Sequence, residues 1–519
     1  MNMRNARSGT ARRRSVEALG LVALLAAGAC TLLVDRSSTQ CQTDDDCAKF
    51  GNHPYCQSGV CVESGLQPAD CFYGTPQTPQ EFENQCSLAE CLSFDNCARL
   101  GICDGGSPAL MSPDDGGAGV MSSPVASPDA GTPAGPTVNC MDPTNGRAQV
   151  IYLTGSSNFP PLLAKLSPLL VAQGFTPVFQ TSSSCAAVNT VYASAPSGQY
   201  IFDPNPSASA KYAAYYDVNG NATPCLLGPN GAPVDIGESD IFASTCGAPA
   251  SPTVGEYLGP IQAMVFIVPS LSGQTAITAE AAKAVFGAGG AGGIAAPWTD
   301  PDLYFVRNAN TGTQQMIGHA IDVPANAFWG IDRGTAQSVD SLLRVIADPA
   351  RAEQAIGIIS ADYYDADRGN LKALAFKATD QDCAYLPDST ESQVDKANIR
   401  DGHYPIWGPI HFFTNVSDGI PVSAGAQAFV SVATVARIPT PLLDAFIEAS
   451  LVPTCAMKVQ RSSELGALST FVPPYQCGCY FESKLNSGVA PAGCQSCVGA
   501  SDCTNPARPA CNNNFCEVQ

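Results

Sequence analysis

Between residues 145 and 475 the apolar positions fall into short runs separated by small polar turns. Val150-Ile151-Tyr152-Leu153 predicts a strand, and Thr154-Gly155-Ser156-Ser157-Asn158 follows it. A helix is predicted from Pro160-Pro161, since proline suits a first turn whose N–H groups have no partner within the helix. Leu162, Leu163, Leu166, Leu169 and Leu170 then recur on one face, and Gly174 is the expected stop. Pro168 is an interior break expected to kink it. Val178-Phe179-Gln180 predicts a second strand, followed by Ser182-Ser183-Ser184 and a helical stretch. Leu303-Tyr304-Phe305-Val306 predicts a third, followed by Asn310-Thr311-Gly312-Thr313 and a helix from Gln314. Strand, small polar turn and helix, repeated, predict an α/β domain with a largely parallel sheet.

The ends of the chain read differently. Of 23 cysteines, nine lie between Cys41 and Cys103 and seven between Cys477 and Cys516. These ends are too polar to bury a core of their own, so disulfides are expected to staple them. The spacing Cys41-x5-Cys47-x8-Cys56-x4-Cys61 returns as Cys497-x5-Cys503-x7-Cys511-x4-Cys516, one small module used twice, with a variant at Cys86, Cys91, Cys97 and Cys103. From Asp104 to Asn139 Gly, Ser, Pro, Ala and Asp dominate and no periodicity survives, which predicts a disordered linker.

Charge narrows the function. The formal net charge is −20 and the pI near 4.5. Nucleic-acid binding needs a basic stripe, and an anionic membrane surface needs a basic patch; neither occurs. Arg4, Arg7, Arg12, Arg13 and Arg14 precede an apolar run, Ala18 to Ala29, too short to span a bilayer, and Ala27-Gly28-Ala29-Cys30 closes it. Residues 1–29 therefore read as an export signal. They resemble a lipoprotein signal, which implies a lipid on Cys30; the alternative is ordinary cleavage and a secreted protein. Without Cys30 an even 22 cysteines remain, as an oxidising compartment would pair them. Cell-envelope localisation follows, lipid-anchored in the periplasm or at the cell surface, with no membrane span beyond the signal.

The polar turns carry the candidate chemistry. Each places hydroxyls and free backbone N–H groups at a helix N-terminus, where an anion is favoured. Gly155-Ser156-Ser157-Asn158-Phe159-Pro160, Val234-Asp235-Ile236-Gly237-Glu238-Ser239-Asp240 and Arg307-Asn308-Ala309-Asn310-Thr311-Gly312-Thr313 resemble, in order, three motifs of the phosphate-binding protein of bacterial ABC phosphate transporters. Ile261 to Pro269 resembles that family's crossover strand and Thr278 to Phe286 the helix after it. Trp298, Ile356-Gly357-Ile358-Ile359-Ser360, Leu371 to Phe376 and the return strand at Ile410-His411-Phe412-Phe413 continue the likeness to about residue 470. The resemblance implies a two-lobed type II periplasmic-binding-protein clamp. It implies Ser157, Asn158 and Phe159 at the first turn, Ser183 and Ser184 at the second, Asp240 facing the ligand, and Arg307, Thr311, Gly312 and Thr313 from the other lobe. Arg307 would supply charge and forked donors. Asp240 can only accept a hydrogen bond, so it would select an oxyanion that still carries a proton, as phosphate does and fully ionised sulfate does not. The chain departs from the family at Asn158, Ala309 and Asn310, and in the 49 residues between Ser184 and Val234, where Cys185, Cys225 and nearby Cys246 suggest a disulfide-pinned loop over the cleft. The end modules loosely resemble those of myxobacterial surface lipoproteins.

Three other signals carry less. Gly287 to Gly292 matches a dinucleotide-binding pattern but follows a helical stretch, so a plain loop is expected. Cys477, Cys479, Cys494 and Cys497 have zinc-like spacing, but disulfides are expected in an exported chain, with Cys477 or Cys479 as partner for Cys455. The four histidines show no metal-ligand spacing and no nucleophile motif occurs, so neither metal, cofactor nor enzyme activity is expected. The sequence thus predicts a signal at 1–29, Cys-rich modules at 30–103, a linker at 104–139, a substrate-binding-protein-like domain at 140–475 and a Cys-rich module at 476–519. The expected function is capture of a small oxyanion, phosphate foremost, by a monomer in an interlobe cleft, with an ABC transporter permease as partner. The alternative is a cell-surface interaction protein whose clamp and modules bind proteins or polysaccharide.

Overall fold

The strand–turn–helix runs of the sequence become two lobes joined through one continuous path of paired strands. A computed structural model describes residues 55–57, 60–62, most of 71–92, 138–140 and, with short breaks, 149–518. The export signal, Cys30 and nearly all of the 104–139 linker lie outside the described residues. Two units divide at residue 69. In the first, Tyr55–Gln57 and Val60–Val62 form an antiparallel hairpin with Cys56 opposite Cys61. Everything below belongs to the second.

In the first lobe, β1 (Val138–Asn139), β2 (Gln149–Gly155), β3 (Phe175–Thr181), β4 (Tyr212–Tyr216), β5 (Ala222–Leu226) and β6 (Ile236–Ser239) line up in the order β6-β2-β3-β4-β5-β1. Strand β2 runs parallel to both β3 and β6. Helix α1 (Pro160–Ala172) starts at Pro160 as the sequence predicts, with Leu162, Leu163, Leu166 and Leu170 buried. Helix α2 (Ser184–Tyr192) follows β3. The long strand β7 (Val254–Pro269) then crosses into the second lobe, where β8 (Tyr304–Val306), β9 (Ile331–Asp332), β10 (Ile356–Ser360) and β11 (Leu371–Ala373) extend the sheet. Strand β8 pairs in parallel with β9 and β10, while β7 lies antiparallel to β10. Helix α3 (Ala279–Ala288) is capped by the Thr278 hydroxyl. Helix α4 (Gly312–Ala320) begins two residues before the predicted Gln314; α5 (Ala336–Leu343) follows β9 and α6 (Ala361–Ala366) follows β10. Strand β12 (Trp407–Ser417) returns, pairing with β7 along its length and with β6 in the first lobe. The α/β clamp expected from the sequence is therefore the fold.

Each lobe has an aromatic centre. Phe159 lies between Phe179, Phe412 and Phe429 at 5.5, 5.7 and 6.4 Å between ring centroids. Phe266 stacks on Phe286 and Phe376 in the second lobe. Burying one such ring is worth ~1.5–3 kcal/mol. Trp298 is fully buried, and the glycine-rich stretch after α3 turns at Gly289 and Gly290 with positive φ, a helix end and not a phosphate loop.

Where it is described, the stretch between Ser184 and Val234 is pinned by disulfides at Cys185 and Cys225 but forms sheet strands and not a loop over the cleft. Its β4 and β5 add antiparallel strands beyond β3, at the sheet edge farthest from β6. Cys225 pairs with Cys140 and Cys185 with Cys246. Cys455 takes Cys477, and Cys479 takes Cys494. The C-terminal module is closed by Cys497–Cys511 and Cys503–Cys516 around a hairpin, Ala510–Asn512 with Phe515–Glu517, whose Cys511 lies opposite Cys516 as Cys56 lies opposite Cys61. Cys91–Cys383 ties residues 71–92 to the second lobe, where Asn84 and Gln85 also bond to Asp382 and His403.

Candidate cleft between the lobes

Parallel strands direct their C-terminal ends, and the helix N-termini that follow, toward one edge of a sheet. Here both lobes present that edge to each other. Ser157 and Asn158 follow β2, Ser183 and Ser184 follow β3, Asp240 follows β6, and Arg307 follows β8. The structure brings most of the predicted residues into direct contact. The Arg307 guanidinium reaches across and donates from Nη2 to Ser157 Oγ at 3.0 Å. Its Nε donates to the Gly334 carbonyl at 2.5 Å, and Gln314 Oε1 accepts its backbone N–H. Asn158 Nδ2 donates to Asp240 Oδ2 at 3.2 Å and to Thr313 Oγ1 at 3.3 Å. Ser184 Oγ donates to the same carboxylate oxygen and accepts the N–H groups of Asp240 and Gly312. A Cβ on Gly312 would lie 2.6 Å from Asp240 Cβ, so only glycine fits there.

Three predicted residues act differently. The Ser183 hydroxyl caps α2 by accepting the Ala186 N–H. Thr311 donates its hydroxyl to the Asn308 carbonyl. Phe159 stands at the head of α1 with its ring in the lobe core, away from the polar cluster.

Burial sets the electrostatics. Asp240 is 1% exposed and Arg307 4%. Burial raises the Asp240 carboxyl above its ordinary range, against the pull of the Ser156 and Ser184 hydroxyls, Arg307 and Asn158. Burial lowers Arg307 to about 10, with Asp240, Asp332 and Tyr363 opposing. Several polar atoms here have no hydrogen-bond partner among the described residues: Asp240 Oδ1, Asn158 Oδ1 and Arg307 Nη1. Buried polar atoms are normally satisfied, so the cluster has unused donor and acceptor capacity.

Three residues at the cleft escape a reading of the sequence. Glu238 is fully buried one pleat before Asp240, on the same strand face. Its Oε2 accepts the Ser156 N–H at 2.7 Å, and burial, then Asp240, push its pKa well up. Tyr363 donates its hydroxyl to the Ser157 carbonyl at 3.2 Å. Asp362, bonded by Gln262 at 3.1 Å, is raised to about 7 chiefly by burial. Of these only Glu238 leaves a trace in the sequence, as an acid two residues before Asp240.

No protein-family model and no curated protein matches the chain. Among solved structures it is similar to a phosphate ABC transporter substrate-binding protein with bound phosphate from Clostridium perfringens, at 12% identity and a TM-score of 0.39, over 59% of this chain and 99% of that one. It is similar to an ABC-type phosphate transport receptor from Vibrio cholerae at 13% identity and a TM-score of 0.35, over 58% and 99%. It is also similar to OxyR from Corynebacterium glutamicum at 10% identity and a TM-score of 0.31, over 59% and 67%. No described helix is long and apolar enough to cross a membrane. The sulfurs of Cys497, Cys503 and Cys516 lie close together, but each is already in a disulfide.

Proposed function

We propose that the cleft binds a small oxyanion, phosphate above all, and that the chain is an exported solute-binding lipoprotein of the cell envelope which hands its ligand to an ABC transporter permease. The observation that carries this reading is the pair Arg307 and Asp240: both almost wholly buried, each with one polar atom that has no partner among the described residues. Arg307 Nη1 would donate to the anion's charge. Asp240 Oδ1 would accept a hydrogen bond from its protonated oxygen, a demand that phosphate meets and sulfate does not. The hydroxyls of Ser157 and Ser184, now holding the guanidinium and two backbone N–H groups, would turn to the ligand. Binding, orientation and exclusion of water are all that this reading asks of these groups; it involves no bond-making step.

The test is calorimetry on the mature, oxidised protein with phosphate, sulfate and small carboxylates. Heat at submillimolar phosphate, with a phosphate-dependent rise in melting temperature, is expected. The absence of both heat and a melting shift with phosphate would reject it. A second reading has its own observation. The lobes already bond to each other across the cleft, through Arg307–Ser157, Asn158–Thr313 and Ser184–Gly312. A clamp that never opens would suit a surface interaction protein, and small-angle scattering unchanged by any anion would favour it.

A further inference from the structure

Two of the turns that build the cleft are joined by a covalent bond. Cys185 directly follows Ser184 at the head of α2. Cys246 closes the short helical turn Ala243–Cys246, which begins three residues after Asp240. The two are disulfide-bonded with Cα atoms 5.1 Å apart. On one side of this bond lies Ser184, whose hydroxyl contacts Asp240 twice and Gly312 once. The backbone N–H of Cys185 itself donates to the Asn310 carbonyl of the second lobe at 3.0 Å. Cys185 is buried at 4% exposure. A hydroxyl serving three bonds at once tolerates little movement, because hydrogen bonds weaken steeply with distance and angle.

We propose that Cys185–Cys246 is a positioning element of the anion cleft, fixing Ser184 against Asp240 and holding the α2 turn against the second lobe. The proposal rests on the oxyanion reading for its ligand, but its geometry is that of the chain alone. The same lobe supplies the control. Cys140–Cys225 spans a comparable 85 residues, against 61, and ties β1 to β5 at the far edge of the sheet. Bonds closing loops of similar length stabilise a fold to similar degrees. Loss of either should cost comparable stability, and only one should disturb the cleft.

The experiment compares two double variants of the full mature chain, Cys185→Ala/Cys246→Ala and Cys140→Ala/Cys225→Ala. Calorimetry with inorganic phosphate and amide hydrogen exchange are read for each, well below its melting temperature. At Asp240 and Gly312, whose N–H groups bond to Ser184, exchange should quicken at least about tenfold in the first variant and not in the second. Phosphate affinity should fall by a similar factor in the first and stay within about twofold in the second. Equal effects from both variants, or unchanged exchange in the first, would overturn the proposal. If the first variant is not recovered folded, Cys185→Val/Cys246→Ala keeps the buried position apolar and takes its place. A chain folded in neither form would make the bond a folding element and also overturn it. If the unmutated chain gives no heat with phosphate, the oxyanion reading fails, and the exchange comparison still decides the role of the disulfide.

Discussion

Two buried charged clusters in the same molecule are built on opposite principles. In the second lobe Lys396, 3% exposed, sits between Asp365 at 2.7 Å and Asp388 at 2.9 Å, and Arg368 reaches the same two carboxylates. Two cations meet two anions. The nearby Asn398 Nδ2 donates to the carbonyls of Leu386 and Asp388, while its Oδ1 has no partner among the described residues. In the cleft, Arg307 faces Asp240, with Glu238 and Asp362 close by, and polar atoms of Asp240, Asn158, Glu238 and Arg307 lack partners among the described residues. A cluster that balances its own charge holds the fold together. The cleft differs in its charge: the carboxyls of Glu238, Asp240 and Asp362 gather near the single guanidinium of Arg307, so the cluster does not balance itself.

The sharpest way to break this contrast is Lys396→Met. Removing one member of a buried ion cluster leaves a carboxylate uncompensated and typically costs about 3–5 kcal/mol. Chemical denaturation should show that loss, with phosphate affinity of the folded protein unchanged. A mild loss would mean that the cluster is not the structural one.

Arg307→Ala should act on binding. Losing a charged partner to a desolvated anion costs ~2–5 kcal/mol of binding, roughly 30- to several-thousand-fold in affinity. Its melting temperature should fall as well, because Asp240 stays buried without its counter-charge and Ser157 and the Gly334 carbonyl lose a donor, so binding is read well below the melting point. A variant that binds phosphate like the parent would remove Arg307 from the site.

Both clusters are only partly legible in the sequence. The strands around the cleft are readable where an apolar run ends in a Ser-, Thr- or Gly-containing turn, so the pattern of residues by itself puts Ser157, Ser184 and Arg307 at strand ends, whereas Asp240 is placed only by the family resemblance. Glu238 is not readable in this way, because β6 is buried on both faces and an acid in so short a strand reads as a solvent-facing position. Tyr363 contacts the first turn from 206 residues away and carries no local signal. The balancing partners Asp365, Arg368, Asp388 and Lys396 are ordinary surface residue types, buried only by how α6 meets the segment before β12. The hairpin β4–β5 lies in a stretch rich in Asn, Gly and Pro, whose strand character comes from pairing with the exposed edge of β3. Cysteine spacing reveals the repeated module, but not that Cys91 pairs with Cys383 or Cys185 with Cys246, since pairing is fixed by three-dimensional approach.

The contrast also has a pH signature. Asp362 in the cleft and Glu464, which accepts the Phe242 N–H behind it, are both raised to about 7, burial being the first cause of each. In the unfolded chain such groups ionise near pH 4. Between about pH 4 and 7 the native state therefore holds protons that the unfolded state has released, and stability falls as pH rises through that window. Melting temperature should be lower at pH 8 than at pH 5, and Asp362→Asn and Glu464→Gln should each flatten the slope. A melting temperature that climbs over this range would place the dominant titrating groups outside the cleft.

The smallest expected effect discriminates best. In Asp240 the Oδ2 atom accepts from Asn158 and Ser184, and the Oδ1 atom has no partner among the described residues. Asp240→Asn can keep the carbonyl oxygen on those two donors and present an amide N–H where Oδ1 stood. The fold keeps the bonds to Asn158 and Ser184, but the buried Arg307 guanidinium loses its first counter-charge, so melting should fall. For a ligand the change is one acceptor exchanged for one donor. Phosphate, offering a hydrogen at that point, should bind roughly 10- to 150-fold more weakly, in line with a hydrogen bond to a charged group worth ~1.5–3 kcal/mol. Sulfate, which carries no hydrogen and meets only repulsion from the carboxylate, should become a competitor, measurable as a shift in the phosphate isotherm with millimolar sulfate present. Unaltered phosphate affinity with sulfate still silent would mean that Oδ1 faces no ligand. Asp240 would then belong with Asp365 and Asp388, among the carboxylates that only hold the fold.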